Sequence, residues 1–185
     1  MRVIAGRAGG MRLRVPPRAT RPSTDRLREA LFSILQGRLE GARVLDLFAG
    51  SGALGIEALS RGAQEAVFVE QSRVAGKVLK ENLEKTQLSG QATVLERDVF
   101  AYLADSSSAF DLVLADPPYA SKSERDLAGA LMTDASLPPR LSDGGLVVLE
   151  VEAEREEPAA SGWKVVDRRK YGSSAILFYA QEESR

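Results

Sequence analysis

No cysteine and no histidine occur among the 185 residues. Their absence removes a disulfide scaffold, a thiolate nucleophile, an iron–sulfur cluster, a zinc site built on Cys or His, and any Ser-His triad. Attack on a pyrimidine ring carbon through cysteine goes with them. Proton handling is left to carboxylates, Lys, Tyr, backbone and water, and no metal is expected. Long apolar runs are missing too, since none approaches the roughly 18 residues that a membrane helix needs. The start, Met1-Arg2-Val3-Ile4-Ala5-Gly6, has no apolar signal core. These absences predict a cytoplasmic protein without a membrane span.

Lysine is absent from residues 1–43, which carry ten arginines against three acids, while the remainder of the chain is acidic. An Arg-rich arm on an acidic body suits a partner with phosphates, because guanidinium bonds phosphate in bidentate fashion and stacks on bases. Arg7, Arg12, Arg14, Arg21 and Arg26 are the candidate nucleic-acid contacts. The length fits one domain with an appendage, divided here into an extension over residues 1–41 and a main body over 42–185.

In the extension, Gly9-Gly10 separates two β-like runs at 3–5 and 11–15, a small hairpin with outward arginines. Pro16-Pro17 ends it. Ser23 or Thr24 is then the N-cap of a helix whose apolar face is Leu27, Ala30, Leu31, Ile34 and Leu35. From Ala42 strands and helices alternate. Strands are expected at 44–48, 66–70, 92–95, 112–115 and 146–151, and helices at 53–60 and 73–87, the second capped by Ser72. Such alternation predicts a parallel sheet covered on both faces. Segments 163–167 and 175–179 flank Gly172 without a helix between them, so they should pair antiparallel. Residues 150–157, with five Glu, are expected as an exposed loop.

Gly50-Ser51-Gly52-Ala53-Leu54-Gly55 follows a strand and opens a helix. Glycine there permits a tight turn and close approach of a ligand to the backbone. Glu70 ends the next strand, where a carboxylate can accept both ribose hydroxyls of an adenosine. NAD and S-adenosylmethionine both present one. Asp46, inside an apolar strand, favours the second: it could receive a ligand ammonium and would repel a pyrophosphate. Asp98-Val99 follows the third strand. Asp98 could take the adenine amino group or serve only as a helix cap.

Asp116-Pro117-Pro118-Tyr119 follows another strand end. Two prolines stiffen the turn and remove two N–H donors, leaving carbonyls free. With the Asp116 carboxylate they could accept both hydrogens of one planar –NH2, and Tyr119 offers a face for stacking a base. Ligands bind beyond the carboxyl ends of parallel strands, so this turn and the glycine turn should share one crevice. Acceptors on an exocyclic amine raise electron density at its poorly nucleophilic nitrogen, and a sulfonium methyl is the matching electrophile.

The glycine turn, Glu70, Asp98 and the Asp-Pro-Pro-Tyr turn resemble motifs of class I S-adenosylmethionine-dependent amino-methyltransferases. Arg2-Val3-Ile4-Ala5-Gly6, with Thr20-Arg21-Pro22-Ser23-Thr24-Asp25-Arg26-Leu27-Arg28-Glu29-Ala30-Leu31-Phe32 and Tyr171-Gly172, resembles the bacterial 16S rRNA methyltransferases that modify N2 of guanine 966. Ser33 departs from relatives that carry Asn there. The resemblance implies an α/β Rossmann-like fold with a seven-stranded, mostly parallel sheet whose seventh strand is antiparallel. It also implies S-adenosylmethionine contacts at Asp46, Gly50, Gly52, Glu70 and Asp98 with Val99, and guanine handling at Asp116 and Tyr119 around Pro117 and Pro118. The expected partner is 16S rRNA or the small ribosomal subunit, met by a monomer. Three other readings are an adenine-N6 DNA methyltransferase, an NAD-dependent dehydrogenase, and a non-enzymatic RNA-binding assembly factor.

Overall fold

The computed structural model describes residues 1–17, 24–119, 125–158 and 160–182. Seven strands, β1 (Arg43–Leu47), β2 (Glu65–Val69), β3 (Ala92–Leu95), β4 (Phe110–Ala115), β5 (Leu141–Glu152), β6 (Trp163–Tyr171) and β7 (Ser174–Gln181), form one sheet in the order β3-β2-β1-β4-β5-β7-β6. The first five run parallel, and β7 is antiparallel to both β5 and β6. This is the expected class I methyltransferase topology. Among the described residues five α-helices accompany the strands: α1 (Asp25–Ile34), α2 (Ala53–Ser60), α3 (Arg73–Lys85), α4 (Val99–Asp105) and α5 (Leu127–Met132).

Alternation along the central strands divides the core. Val44, Leu112 and Leu114 pack with α1, α2 and α3, whereas Leu45, Leu47, Val113 and Ala115 pack with α4 and α5. A strand buried on both faces must be apolar at nearly every position, which is why these strands read as short continuous runs. Among the described residues no helix is long and apolar enough to cross a membrane.

The helix starts follow their caps. Thr24 Oγ1 accepts from Leu27 N–H at 3.2 Å, and Ser72 Oγ from Ala75 N–H at 3.3 Å. Ser23, the other candidate, lies outside the described residues. Two expectations are corrected. The buried face of α1 is Leu27, Arg28, Leu31, Phe32 and Leu35, while Ile34 is 43% exposed. Arg28 turns the helix: its Nη2 bonds Asp25 Oδ1 and the Arg2 carbonyl, both at 2.7 Å, and such pairing permits a buried charge. The acidic segment is not all loop either. β5 continues to Glu152 because its ladder with β7 runs to the Glu152–Ser174 pair, and Glu150 is buried within it.

The arm shares the core of the main body. Its two segments meet at a single antiparallel bridge between Arg2 and Arg12, and Val3, Ala8 and Leu13 join the cluster around α2 and α3. Gly6, at φ +81°, presses against α2 where any Cβ would collide with the Ser60 carbonyl. Glu57, fully buried on α2, accepts from Ile4 N–H at 2.7 Å, Ala5 N–H at 3.0 Å and Arg61 Nε at 2.6 Å. Its Oε2 lies 3.9 Å from Arg28 Nη1.

Glu57→Ala leaves the Ile4 and Ala5 N–H groups and Arg61 Nε without their acceptor and removes the carboxylate beside buried Arg28. A loss of about 3–5 kcal/mol is expected from urea unfolding, as for other broken buried ion pairs. Glu57→Gln, which keeps one acceptor oxygen, is expected to lose less.

Candidate active site

The register of the parallel strands aligns their carboxyl ends. Leu47 pairs with Val69 and with Ala115, and Val69 pairs with Leu95, so the turns after β1, β2, β3 and β4 open side by side. They surround a cavity of about 740 Å³. Asp46, Gly50, Glu70, Asp98, Val99, Asp116 and Pro118 all line it, which unites most of the residues singled out in the sequence. Gly52, Pro117 and Tyr119 are not part of that lining.

The glycine turn has a ligand side and a packing side. Gly50 has φ +55°, and a Cβ there would meet only the Phe48 carbonyl at 3.9 Å, so a side chain would stand where a ligand approaches. Gly52 faces the other way, and a Cβ would strike the Leu79 side chain of α3. Phe48 itself has φ +57°, a costly conformation for a non-glycine residue, held here at the rim of the cavity.

Carboxylates dominate the walls. Asp46 is 1% exposed, and its Oδ2 accepts from Gly55 N–H at 2.8 Å. Burial pushes its pKa well above the usual carboxylate value; the Gly55 bond lowers it, and the nearby Asp116 and Glu70 charges raise it further. Its Oδ1 accepts no hydrogen bond among the described residues, so a cationic group can take it. Glu70 staples two turns together, with Oε2 on Gly50 N–H at 2.8 Å and Oε1 on Ser72 N–H at 2.7 Å. Each oxygen keeps a lone pair for a ribose hydroxyl. Asp98 caps α4 through Ala101 N–H at 2.9 Å, one of the two roles expected of it, and it also lines the cavity. Among the described residues, four carboxylates against the guanidinium of Arg125 fit a ligand with ammonium and sulfonium charges and disfavour a pyrophosphate. The donor set therefore suits S-adenosylmethionine better than NAD. Among the described residues no group of three acidic side chains is arranged to hold a metal ion.

The Asp-Pro-Pro-Tyr turn straddles two spaces. Asp116 and Pro118 face the large cavity, while Pro117, Pro118 and Tyr119 border a smaller recess with Glu150 and Arg155. The Tyr119 hydroxyl lies 2.8 Å from Ser174 Oγ, 3.3 Å from the Val151 carbonyl and 3.4 Å from Glu150 Oε1. Burial, with the Glu150 and Asp116 charges nearby, pushes its pKa to about 12, so it stays protonated at neutral pH. The ring is thus anchored by its hydroxyl to β5 and β7.

Several lining residues escaped the sequence reading. Phe48 and Phe100 meet edge to face at 6.5 Å, and the Arg125 guanidinium lies 4.5 Å over the Phe100 ring. Position directly after a strand end is the signal that Phe48 shares with Glu70 and Asp116, whereas Phe100 stands in the first turn of α4. Met1, Val15, Pro16 and Pro17 also line the cavity, and nothing local marks them. The arginines scatter. Arg7 is tied by its backbone to Ser60 at the far end of α2, roughly 12 Å along that helix from its start. Its side chain bonds Gln91. Arg14 pairs with Glu81, whereas Arg12 and Arg26 are exposed and make no ion pair among the described residues. Arg21 lies outside the described residues.

The family model described as conserved hypothetical protein 95 matches residues 1–180. The chain is 34% identical to ribosomal RNA small subunit methyltransferase D of Escherichia coli K12, over 98% of this chain and 90% of the relative. A solved Escherichia coli chain, yhhF, described provisionally as a methyltransferase, superimposes with TM-score 0.82 at 34% identity, covering 100% of this chain and 99% of its own. A hypothetical protein of Thermus thermophilus does so with TM-score 0.81 at 37% identity, over 96% and 98%.

The raised pKa of Asp46 has a stability consequence. Folding tightens its hold on a proton, so the ligand-free protein should lose stability as pH rises through the elevated value. Asp46→Asn is expected to match the original melting temperature at acidic pH and to exceed it increasingly as pH rises. The same variant should bind S-adenosylhomocysteine about tenfold or more weakly, as expected for a lost charged hydrogen bond. Thermal denaturation across a pH series, with and without that ligand, checks both.

Proposed function

Because the chain belongs to the family described as conserved hypothetical protein 95, we propose that it transfers a methyl group from S-adenosylmethionine to N2 of guanine 966 in 16S rRNA. Fold and kinship make it a class I methyltransferase. The observation that carries the finer reading is that Asp116 and Pro118 open into the same acidic cavity as Asp46, Gly50 and Glu70. The name of the Escherichia coli relative points to small-subunit rRNA and away from adenine in DNA.

When bound, the donor supplies an electrophilic methyl group on a positively charged sulfur. Asp46 holds the ammonium of its amino-acid part, Glu70 the ribose hydroxyls, and Asp98 with Val99 the adenine. Asp116 and carbonyls of the proline turn accept the N–H bonds of the guanine amine. That draws electron density onto a nitrogen whose lone pair is otherwise delocalised into the ring, and favours a pyramidal geometry. Positive charge then develops on the nitrogen beside the Asp116 carboxylate, which stabilises it, and the surplus amine proton passes to Asp116 or to water. Tyr119, anchored through its hydroxyl, presents its ring to the base. Splaying out the base costs a few kcal/mol, less where it is already unstacked. Residues 1–41 act as the RNA-binding extension of a catalytic body over 42–185, in a cytoplasmic monomer.

Asp116→Ala is expected to abolish transfer to small-subunit RNA while S-adenosylhomocysteine still binds. Digestion of the treated RNA and identification of the modified nucleoside should show N2-methylguanosine with the unaltered enzyme only. N6-methyladenine in a DNA substrate would replace the guanine assignment. Converting Arg12, Arg14 and Arg26 together to Ala should flatten the plot of log affinity against log salt by about 2, at roughly 0.7 per phosphate contact on single strands. An unchanged slope would remove these arginines from the RNA footprint.

A further inference from the structure

Residues 12–17 of the arm run along α3 toward the cavity. The Arg12 carbonyl accepts from Lys85 Nζ at 2.7 Å near the helix end, and Val15, Pro16 and Pro17 reach the cavity wall beside Val74 and Ala75 near its start. Between them lies Asn82, whose side chain is buried. Its Oδ1 accepts from Arg14 N–H at 2.8 Å, and its Nδ2 donates to the Arg14 carbonyl at 3.0 Å. The same Nδ2 donates to the Ser51 carbonyl at 2.9 Å, inside the glycine turn. Pro16 and Pro17 have no N–H, so Arg14 is the last residue before the cavity wall whose backbone N–H is bonded among the described residues. One carboxamide thus grips both backbone groups of an arm residue and the turn that faces the donor. A second contact joins the same parts, Ser51 Oγ to Met1 Sδ at 3.6 Å.

We propose that Asn82 is a positioning residue that couples RNA on the arm to the donor in the cavity, so that each tightens the binding of the other. This rests on the function proposed above. The physical ground is that a buried amide with three partners cannot shift toward one without disturbing the others, since an unpaired buried polar group is costly. Seating the glycine turn around the donor therefore orders the strap at 14–17, and RNA that holds the strap orders the turn. Linkage makes the effect reciprocal.

The test is the affinity for S-adenosylhomocysteine, by calorimetry, with and without a saturating RNA hairpin carrying the target guanine. The unaltered protein should show coupling of about fivefold or more. Asn82→Ala should bring the ratio to within about twofold of unity, well below that range. Asn82→Asp, which keeps the acceptor for Arg14 N–H but loses both donations, should do the same. Thr86→Val is the control for a general loss of stability, because Thr86 Oγ1 bonds only carbonyls of its own helix, and it should retain the coupling. Full coupling in both Asn82 variants, or none in the unaltered protein, overturns the proposal. Hydrogen exchange needs no variant: S-adenosylhomocysteine alone should slow exchange of the Arg14 amide, and unchanged exchange there also overturns it. Failure of the unaltered protein to bind the RNA would instead overturn the substrate reading, and the exchange result would still decide the role of Asn82.

Discussion

Buried and half-buried carboxylates that take up leftover backbone N–H groups hold this molecule in its working shape. The turns and helix starts at a sheet's carboxyl edge leave donors without a partner in regular structure. Here Asp46 takes the Gly55 donor, and Glu70 takes those of Gly50 and Ser72. Glu57 does the same for Ile4 and Ala5 in the arm. Each bond offsets part of the cost of burying the charge and ties together segments distant in sequence. The glycine turn, the turn after β2 and the arm would otherwise be separate loops.

Among the described residues, the same arrangement lines the cavity with more negative than positive charge. Asp46 carries a raised pKa because one backbone donor does not replace water, and Asp116 and Glu70 add repulsion. A site arranged this way is less stable empty than it could be, a common trade where function needs charge in a buried place. A ligand bearing sulfonium and ammonium groups supplies what is missing. Electrostatics in this cavity therefore suits such a ligand better than a dinucleotide, even though the glycine spacing suits either.

The arm does more than carry arginines. Its apolar residues belong to the core beneath the sheet, its Gly6 presses on α2, and its strap forms one wall of the donor cavity. Its charges consequently face several directions. Arg7 sits at the far end of α2, whereas Arg14 leads straight into the strap. An RNA held by the arm would reach from the side of α3 to the rim where Asp116 stands.

The succession of strands, helices α1 to α3, the caps Thr24 and Ser72, the antiparallel closing hairpin and the glycine and Asp-Pro-Pro-Tyr turns were legible in the amino-acid order, because period, caps and prolines are local signals, whereas the short helix α5 carried no such signal. The burial of Arg28 and Glu150 was not. A charged side chain is read as exposed until its partners are known, and those of Arg28 lie at Arg2 and Glu57 as well as in its own helix. Local pattern could place Glu70 near a ribose, but not on Gly50 and Ser72 as well. It could mark the Tyr119 ring, but not the Ser174 hydroxyl that anchors it. Residue types and their spacing determined which chemistry this chain can perform. Which groups meet was decided only when sheet register and arm docking brought residues many tens of positions apart within hydrogen-bonding distance.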